Sequence, residues 1–307
     1  MKAKAKNQLL KASKATKENV IGQVITFLCA TIIVTLTLAI IFFVASRGIR
    51  AFVVDHISLG QFLTGSEWNP GTKNAQGQPI AGSLPMIIGS FGVTLLAALI
   101  ATPFSLAIGI YMTEYASKRM RRLIQPMIEL FTGVPSVVYG FTGLMVIVPI
   151  TRKLFGGTGF GILPGALVLF VMILPTITSM VVDTLQRIPV SFRQAALALG
   201  ATKWQSIYLI VLRASIPGIL TAIIFGMARA FGEALAVQMV IGNSPLLPTN
   251  LVSPTATLTS QLTSQIGNTI MNSVENDALW ALALVLLLMS LVFNLVAKWI
   301  GKRGELK

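Results

Sequence analysis

Six apolar runs, each long enough to cross a hydrocarbon core about 30 Å thick, restrict the fold of this chain more than any other feature. They lie near 24–46, 86–110, 126–149, 163–183, 214–241 and 278–299. Lipid offers open backbone no hydrogen-bond partner, so each run is predicted to be helical and the protein an all-α integral membrane bundle of six transmembrane helices. The composition agrees: 54% of the 307 residues are hydrophobic and only 11% are charged. The first run is too long for a signal-peptide core and is expected to stay as a span. The expected organisation is a basic N-terminal arm at 1–23, a membrane domain at 24–300 and a short tail at 301–307.

Lysine and arginine set the orientation. Lys2, Lys4, Lys6, Lys11, Lys14 and Lys17 precede the first span; Lys118, Arg119, Arg121 and Arg122 follow the second; Arg187, Arg193, Lys203 and Arg213 follow the fourth; Lys298, Lys302, Arg303 and Lys307 end the chain. Arg47, Arg50, Lys73, Arg152 and Lys153 fall on the other side. The positive-inside rule therefore places both termini and the loop around Gly200 in the cytoplasm. The net charge of +14 follows from this clustering. Basic residues beside spans, without interleaved aromatics, fit anionic membrane lipid rather than nucleic acid. One cysteine, Cys29, and one histidine, His56, make no zinc or thiol–imidazole constellation.

Two outer loops carry further information. Within 47–85, Trp68, Asn69 and Pro70 sit among glycines and amides, as in an ordered surface turn able to meet a soluble partner; a plain linker is the alternative. Between 243 and 277, Leu258, Leu262, Ile266, Ile270 and Val274 recur every four residues and predict one apolar helical face, lying on the outer leaflet or roofing the bundle.

Inside the spans, polar and helix-breaking residues mark two places. In FTGVPSVVYGFTG at 131–143, Pro135 lacks a backbone donor, while Thr132, Ser136 and Tyr139 supply hydroxyls. A broken helix is tolerated where it faces protein or water, so this segment either lines a path or is a kink packed by Gly133, Gly140 and Gly143. In GMARAFGEALAV, Arg229 and Glu233 are four residues apart, which on one continuous helix puts them on a shared face near mid-membrane. An arginine there costs about 2.5–3.5 kcal/mol even on lenient insertion scales, so it is expected to face a bundle interior or a wet cavity. Its permanently charged, forked donors suit an oxyanion such as phosphate, with Glu233 holding the fork when the anion is absent. A purely structural ion pair is the competing reading.

The fourth loop, SFRQAALALGATKWQSIYLIVLRASIP at 191–217, is polar and rich in small residues between two apolar runs. Ser191 with Gln194 and Thr202 with Gln205 have the spacing of two capping boxes, and Gly200 between them reads as a helix stop. A short helix, a sharp bend and a second helix climbing back to the bilayer are predicted. Ala195, Ala196, Ala198 and Ala201 keep the surface low enough to enter another protein's groove.

These residues carry a family resemblance. Gln194, Ala195, Ala196, Gly200, Ile210 and Leu212 resemble the EAA loop of binding-protein-dependent ABC importer permeases, with glutamine in place of the first glutamate and Arg213 in place of the proline. WNP at 68–70, GVPSVVYG at 133–140, QAALALGAT at 194–202 and ARAFGEALAV at 228–237 are together similar to phosphate ABC permeases of the PstC type. The resemblance implies the type I importer permease fold, with a coupling helix at 191–212 in which Arg193, Gln194, Ala195, Ala196, Gly200 and Thr202 engage an ATPase. It also implies a substrate pathway through Arg229 and Glu233, which Thr132, Ser136 and Tyr139 of the broken segment are expected to line. A second, related permease, an ATPase dimer that binds ATP and magnesium, and an extracytoplasmic phosphate-binding protein are the implied partners, in a bacterial or archaeal cytoplasmic membrane. The chain has no G-x-x-x-x-G-K-[ST] loop, so it is expected to carry no cofactor and to catalyse nothing itself. A permease for sulfate, molybdate or phosphonate and an ion-coupled secondary transporter remain the alternatives.

Overall fold

The computed structural model describes residues 14–303; Lys2, Lys4, Lys6 and Lys11 of the basic arm and Lys307 of the tail lie outside them. Six helical runs among the described residues are long and apolar enough to cross a membrane. The chain divides at Arg47/Gly48 into two compact units. The first holds the greater part of α1 (Lys14–Val53), exposed throughout residues 18–43, with Phe27 at 71% and Phe42 at 75%. Its apolar residues run all round the helix, the pattern of a segment solvated by lipid or protein rather than water.

The second unit is the bundle. After the short α2 (Leu59–Thr64), the Trp68, Asn69 and Pro70 segment forms a strand rather than a turn. Strand β1 (Trp68–Lys73) pairs antiparallel with β2 (Pro79–Ala81), Trp68 opposite Ala81, and the register breaks between Asn69 and Lys73 around Pro70. Proline cannot donate to a ladder, which confines it to such an edge. The turn itself lies further on, where Asn74 Oδ1 accepts from the N–H groups of Gln76 and Gln78 at 3.0 and 2.9 Å.

Helix α3 (Leu84–Ile110) and α7 (Ile162–Gln186) form the centre. Val93, Ala97 and Ala101 of α3 meet Leu169, Ile173 and Ile177 of α7 in one buried cluster, which α10 (Leu212–Phe231) and α11 (Leu235–Ile241) complete through Ala222 and Val237. Small residues on α3 let the helices approach closely, the usual solution where lipid supplies no hydrophobic drive between helices. A second cluster joins Phe62, Met86, Leu258, Leu279 and Phe231 at the end opposite the basic loops. The last span is α13 (Val274–Arg303).

Three expected helices take a different form. The run expected at 126–149 is split: α4 (Lys118–Gly133) ends before an extended Val134, and Pro135 caps a new start through α5 (Ser136–Thr142), a π turn at Gly143–Ile147 and α6 (Val148–Phe155). The spanning piece is therefore 136–155. Proline clashes with a helical predecessor and forces it extended, which explains the break at 134. The run expected at 214–241 is also broken, because α10 stops at Phe231 and α11 begins at Leu235. Finally, the four-residue repeat from Leu258 to Val274 does not make one helix. Helix α12 covers only Leu258–Gln265 before a 3-10 turn at Ile266–Asn268; Ile270 is 81% exposed, and Val274 opens α13.

Candidate functional site

Arg229 sits in the last turn of α10. A helix C-terminus carries partial negative charge, so a cation there gains about 0.3–1 kcal/mol. The guanidinium is exposed in the isolated chain and donates from Nη1 to Thr176 Oγ1 at 2.6 Å, across to α7 just beyond Pro175.

Glu233 lies in the gap between α10 and α11, not one turn along the same helix. This corrects the shared face expected for the two residues: the chain leaves the helix at Gly232, so the four-residue spacing no longer aligns them. Nor does the carboxylate hold the guanidinium, since no ion pair joins them among the described residues. Glu233 Oε1 instead accepts from the Ala236 N–H at 3.2 Å, satisfying one of the orphan donors at the start of α11. Its backbone carbonyl accepts from Thr259 Oγ1 at 2.8 Å, so α12 holds the gap from behind. That end of α12 is anchored in turn, with a capping box between Thr257 and Ser260 and a hydrogen bond from Leu258 N–H to Ser90 Oγ at 2.9 Å. Ser90, Thr94, Thr257, Thr259 and Glu233 surround a cavity of about 10 Å³, at the lower limit for one water molecule.

The hydroxyls at 131–143 are not gathered into one site. Thr132 Oγ1 donates to its own helix at Glu129 O, 2.6 Å, while Ser136 opens the next helix. Tyr139 reaches back over the break and donates to Phe131 O at 2.7 Å, stapling α5 to the end of α4. Gly140 is packed so closely that a Cβ there would meet Ala236 Cα of α11 at 2.7 Å, whereas nothing approaches Gly133. Of the two breaks, the one at 232–234 thus has the charged groups, while beyond the one at 134–135 the close packing begins only at Gly140.

The loop at 191–212 has the predicted bend but a different first half. Helix α8 (Val190–Ala198) starts after Pro189 as its cap, so Ser191 is already inside the helix and makes no capping box with Gln194. Proline's fixed φ sets the extended entry one residue earlier. Gly200 takes φ +81°, a left-handed conformation that costs a β-branched residue about 1–3 kcal/mol. Beyond it the capping box at Thr202 is present, with Gln205 N–H to Thr202 Oγ1 at 3.3 Å and Thr202 N–H to Gln205 Oε1 at 2.8 Å. Helix α9 (Lys203–Ser206) then runs through a π turn at Ile207–Val211 into α10. Gln194, Ala195, Gly200 and Thr202 face outward, Ala196 is buried, and Leu199 between them is 89% exposed. Arg193 turns inward, onto Glu114.

Thr176 and Thr259 escape sequence reading. Thr176 follows Pro175, the one local sign of an irregular helix there; Thr259 is marked only by the run of polar residues that the apolar repeat obscures.

Residues 105–304 match the family described as binding-protein-dependent transport system inner membrane component. Over 289 residues the chain is 46% identical to the probable ABC transporter permease protein YqgH of Bacillus subtilis, covering 94% of this chain and 92% of that protein. It is 33% identical over 219 residues to the phosphate transport system permease protein PstC of Mesorhizobium japonicum, 65% of each chain, and 30% identical over 277 residues to PstC 1 of Mycobacterium tuberculosis, 79% of this chain and 81% of that protein. The fold is similar to a chain of a bacterial alginate ABC transporter, with TM-score 0.62 and 15% identity over 94% of this chain and 96% of the other. A chain of the inward-facing MetNI methionine ABC transporter gives TM-score 0.54 and 19% identity over 71% and 95%. The chain belongs to the binding-protein-dependent inner membrane transport components: it is a multi-pass permease subunit of a bacterial ABC importer, without a cofactor or catalysis of its own, that works with an ATPase and a binding protein.

Proposed function

We propose that the substrate is inorganic phosphate, that the subunit is of the PstC type, and that it pairs with a second, related phosphate permease. The observation that carries this is Arg229, a forked cation at a helix break with a neutral threonine as its hydrogen-bond partner and no carboxylate within ion-pair distance among the described residues. Such a group meets a tetrahedral oxyanion with two parallel donors. The relatives that are about a third identical are phosphate permeases by name, while the 46% identical relative is named only as a probable ABC transporter permease.

In this reading both termini and the 191–212 loop are cytoplasmic, and the hairpin at 68–81 and α12 are extracytoplasmic. A phosphate-binding protein delivers the anion to the outer end. ATP-driven closure of the ATPase dimer pushes on the exposed side of α8 around Gln194 and Ala195 and on the Gly200 bend, and the helices rock so that Arg229 meets each side in turn. Tyr139 and Thr176 line the same stretch, Glu233 keeps the break open by capping α11, and Thr132 and Ser136 belong to the wall of the path.

The test is uptake by the complete transporter in liposomes holding ATP, with labelled phosphate against excess sulfate, molybdate or a phosphonate. ATP-dependent phosphate uptake, undiminished by the competitors, is expected. Import of sulfate or molybdate with no import of phosphate overturns the substrate and leaves the permease fold untouched.

A further inference from the structure

Helix α3 does not stop at Ile110 but continues through a single π turn, Tyr111–Tyr115, closed by Ala116 N–H to Tyr111 O at 2.8 Å. A helix end of this kind leaves carbonyls without partners and carries partial negative charge. Three basic side chains from three different elements converge on it. Arg121 of α4 donates to Thr113 O. Lys203 of α9 donates to Glu114 O at 2.6 Å and lies 4.4 Å from the centre of the Tyr115 ring. Arg193 of α8 donates from Nε and Nη2 to Glu114 Oε1 at 2.9 and 2.7 Å, and its Nη1 and Nη2 also donate to Ile188 O and Leu185 O at 2.8 and 3.1 Å.

The 191–212 loop therefore grips the end of the second span at two points, one on each side of the Gly200 bend: α8 holds the Glu114 carboxylate and α9 holds its carbonyl. The side chains of Glu114 and Arg193 are only 8% and 20% exposed, so water competes little for the pair. Gln194 and Ala195, next along α8, face outward.

We infer that Arg193 and Glu114 are a positioning pair that transmits movement of the 191–212 loop into α3, and through the α3–α7 core into the bundle. Arg193 on this view is a strut behind the coupling helix rather than a contact to the ATPase. The inference rests on the reading of this loop as the ATPase dock. Without the pair, α8 keeps the Arg187–Pro189 link, the packing of buried Ala196 and, beyond the bend, the grip of Lys203, but loses its direct tie to α3, so that less of a push on it reaches the second span.

The test uses the assembled transporter with its ATPase and binding protein in liposomes, with phosphate as the transported probe and binding-protein-stimulated ATP hydrolysis as a second readout. Glu114→Gln keeps the size of the side chain and removes its charge. It is expected to leave subunit recovery and unstimulated hydrolysis within about twofold, while import per ATP and stimulation by the binding protein fall about tenfold. The exchanged pair Glu114→Arg with Arg193→Glu should recover part of that loss, limited because a carboxylate at 193 cannot donate to Ile188 O and Leu185 O, and Glu114→Arg alone should recover none. Unchanged import per ATP in Glu114→Gln overturns the proposal, as does a loss of uptake that only follows a loss of assembled complex. Gly200→Val separates this from the underlying reading. If it uncouples hydrolysis while Glu114→Gln does not, the strut alone is wrong; if Gly200→Val also couples normally, the loop is not the dock.

Discussion

The basic end of the bundle and the break in the fifth span both concentrate charge, but they treat it in opposite ways. At the basic end Glu114 receives two hydrogen bonds from Arg193, and the carbonyls beside it are held by Arg121 and Lys203. At the break, Arg229 and Glu233 lie close in sequence yet do not pair; one leans on Thr176, the other caps a backbone N–H. A part-buried pair whose charges are matched fixes geometry and has little left to offer a ligand. A cation held by a neutral hydroxyl keeps its attraction for an anion, because the hydroxyl leaves the charge uncompensated and takes only one nitrogen of the fork. The difference separates a part built to transmit from a part built to receive.

The strongest way to break this comparison is to neutralise Arg229. Arg229→Gln keeps polarity but loses the charge and the fork, and is expected to lower phosphate uptake about a hundredfold, the scale on which one fixed oxyanion donor acts, with normal subunit recovery. Arg229→Lys should restore uptake only in part, since an ammonium offers no fork. Because Glu233 is occupied by α11, adding Glu233→Gln should not restore uptake to Arg229→Gln. Full transport in that double variant, measured with labelled phosphate, shows instead that the two side chains pair in another state and serve only structure.

Thr176 sharpens the comparison with a smaller effect. Thr176→Val removes the hydroxyl that holds Arg229 Nη1 while leaving the charge in place. A receiving cation freed from its rest partner is less well positioned, so half-saturating phosphate should rise by roughly three- to tenfold, within the net range of one ordinary hydrogen bond, with the maximal rate within about twofold. A fall in subunit recovery with unchanged half-saturation assigns Thr176 to packing.

The contrast between the two regions also marks what the sequence discloses. The spans were legible because apolar length is read directly, and the bend was legible because Gly200 and the Thr202–Gln205 spacing are local chemistry. The break at 232–234 was not, because Gly232, Glu233 and Ala234 are all compatible with a helix, and what holds the gap is Thr259, 26 residues away. Glu114 was missed for the same reason: nothing near it in sequence announces a partner 79 residues on. At Pro135 the signal was present, as a break within one span that either lines a path or is a packed kink, and the extended Val134 makes it a boundary between two helices. The repeat from Leu258 to Val274 misled because a four-residue period continues through a 3-10 turn and a loop as easily as through a helix; the polar side chains of Thr259, Ser260 and Gln261, all buried, were the better guide.

The smallest expected effect concerns a third cluster, at the end opposite the basic loops, which lies between the two extremes. Arg50 Nε is 2.9 Å from Asp277 Oδ2, close enough for an ion pair but not aligned for a hydrogen bond, and Asp277 is fully buried. Asp55, in the turn after α1, is raised above the usual carboxylate range, first by its burial and then by the neighbouring Asp277 charge, against the opposing pull of Arg50 and His56. The folded protein therefore holds a proton on Asp55 at a pH where the unfolded chain has released it. Binding more protons when folded means stability falls as pH rises from the ordinary carboxylate value of 3.8 through the raised one, and is unaffected by this group below both. Asp55→Asn keeps the neutral, hydrogen-bonding form at every pH. It should flatten that slope and raise the melting temperature at neutral pH by no more than about 2 °C, since Asp55 is partly exposed and water screens much of the interaction. Melting curves of the assembled transporter from acid to neutral pH decide it: a wild-type curve with no fall across this window, or a variant less stable than wild type at neutral pH, shows that Arg50 already neutralises both carboxylates and that this cluster behaves like the paired charges of the basic end.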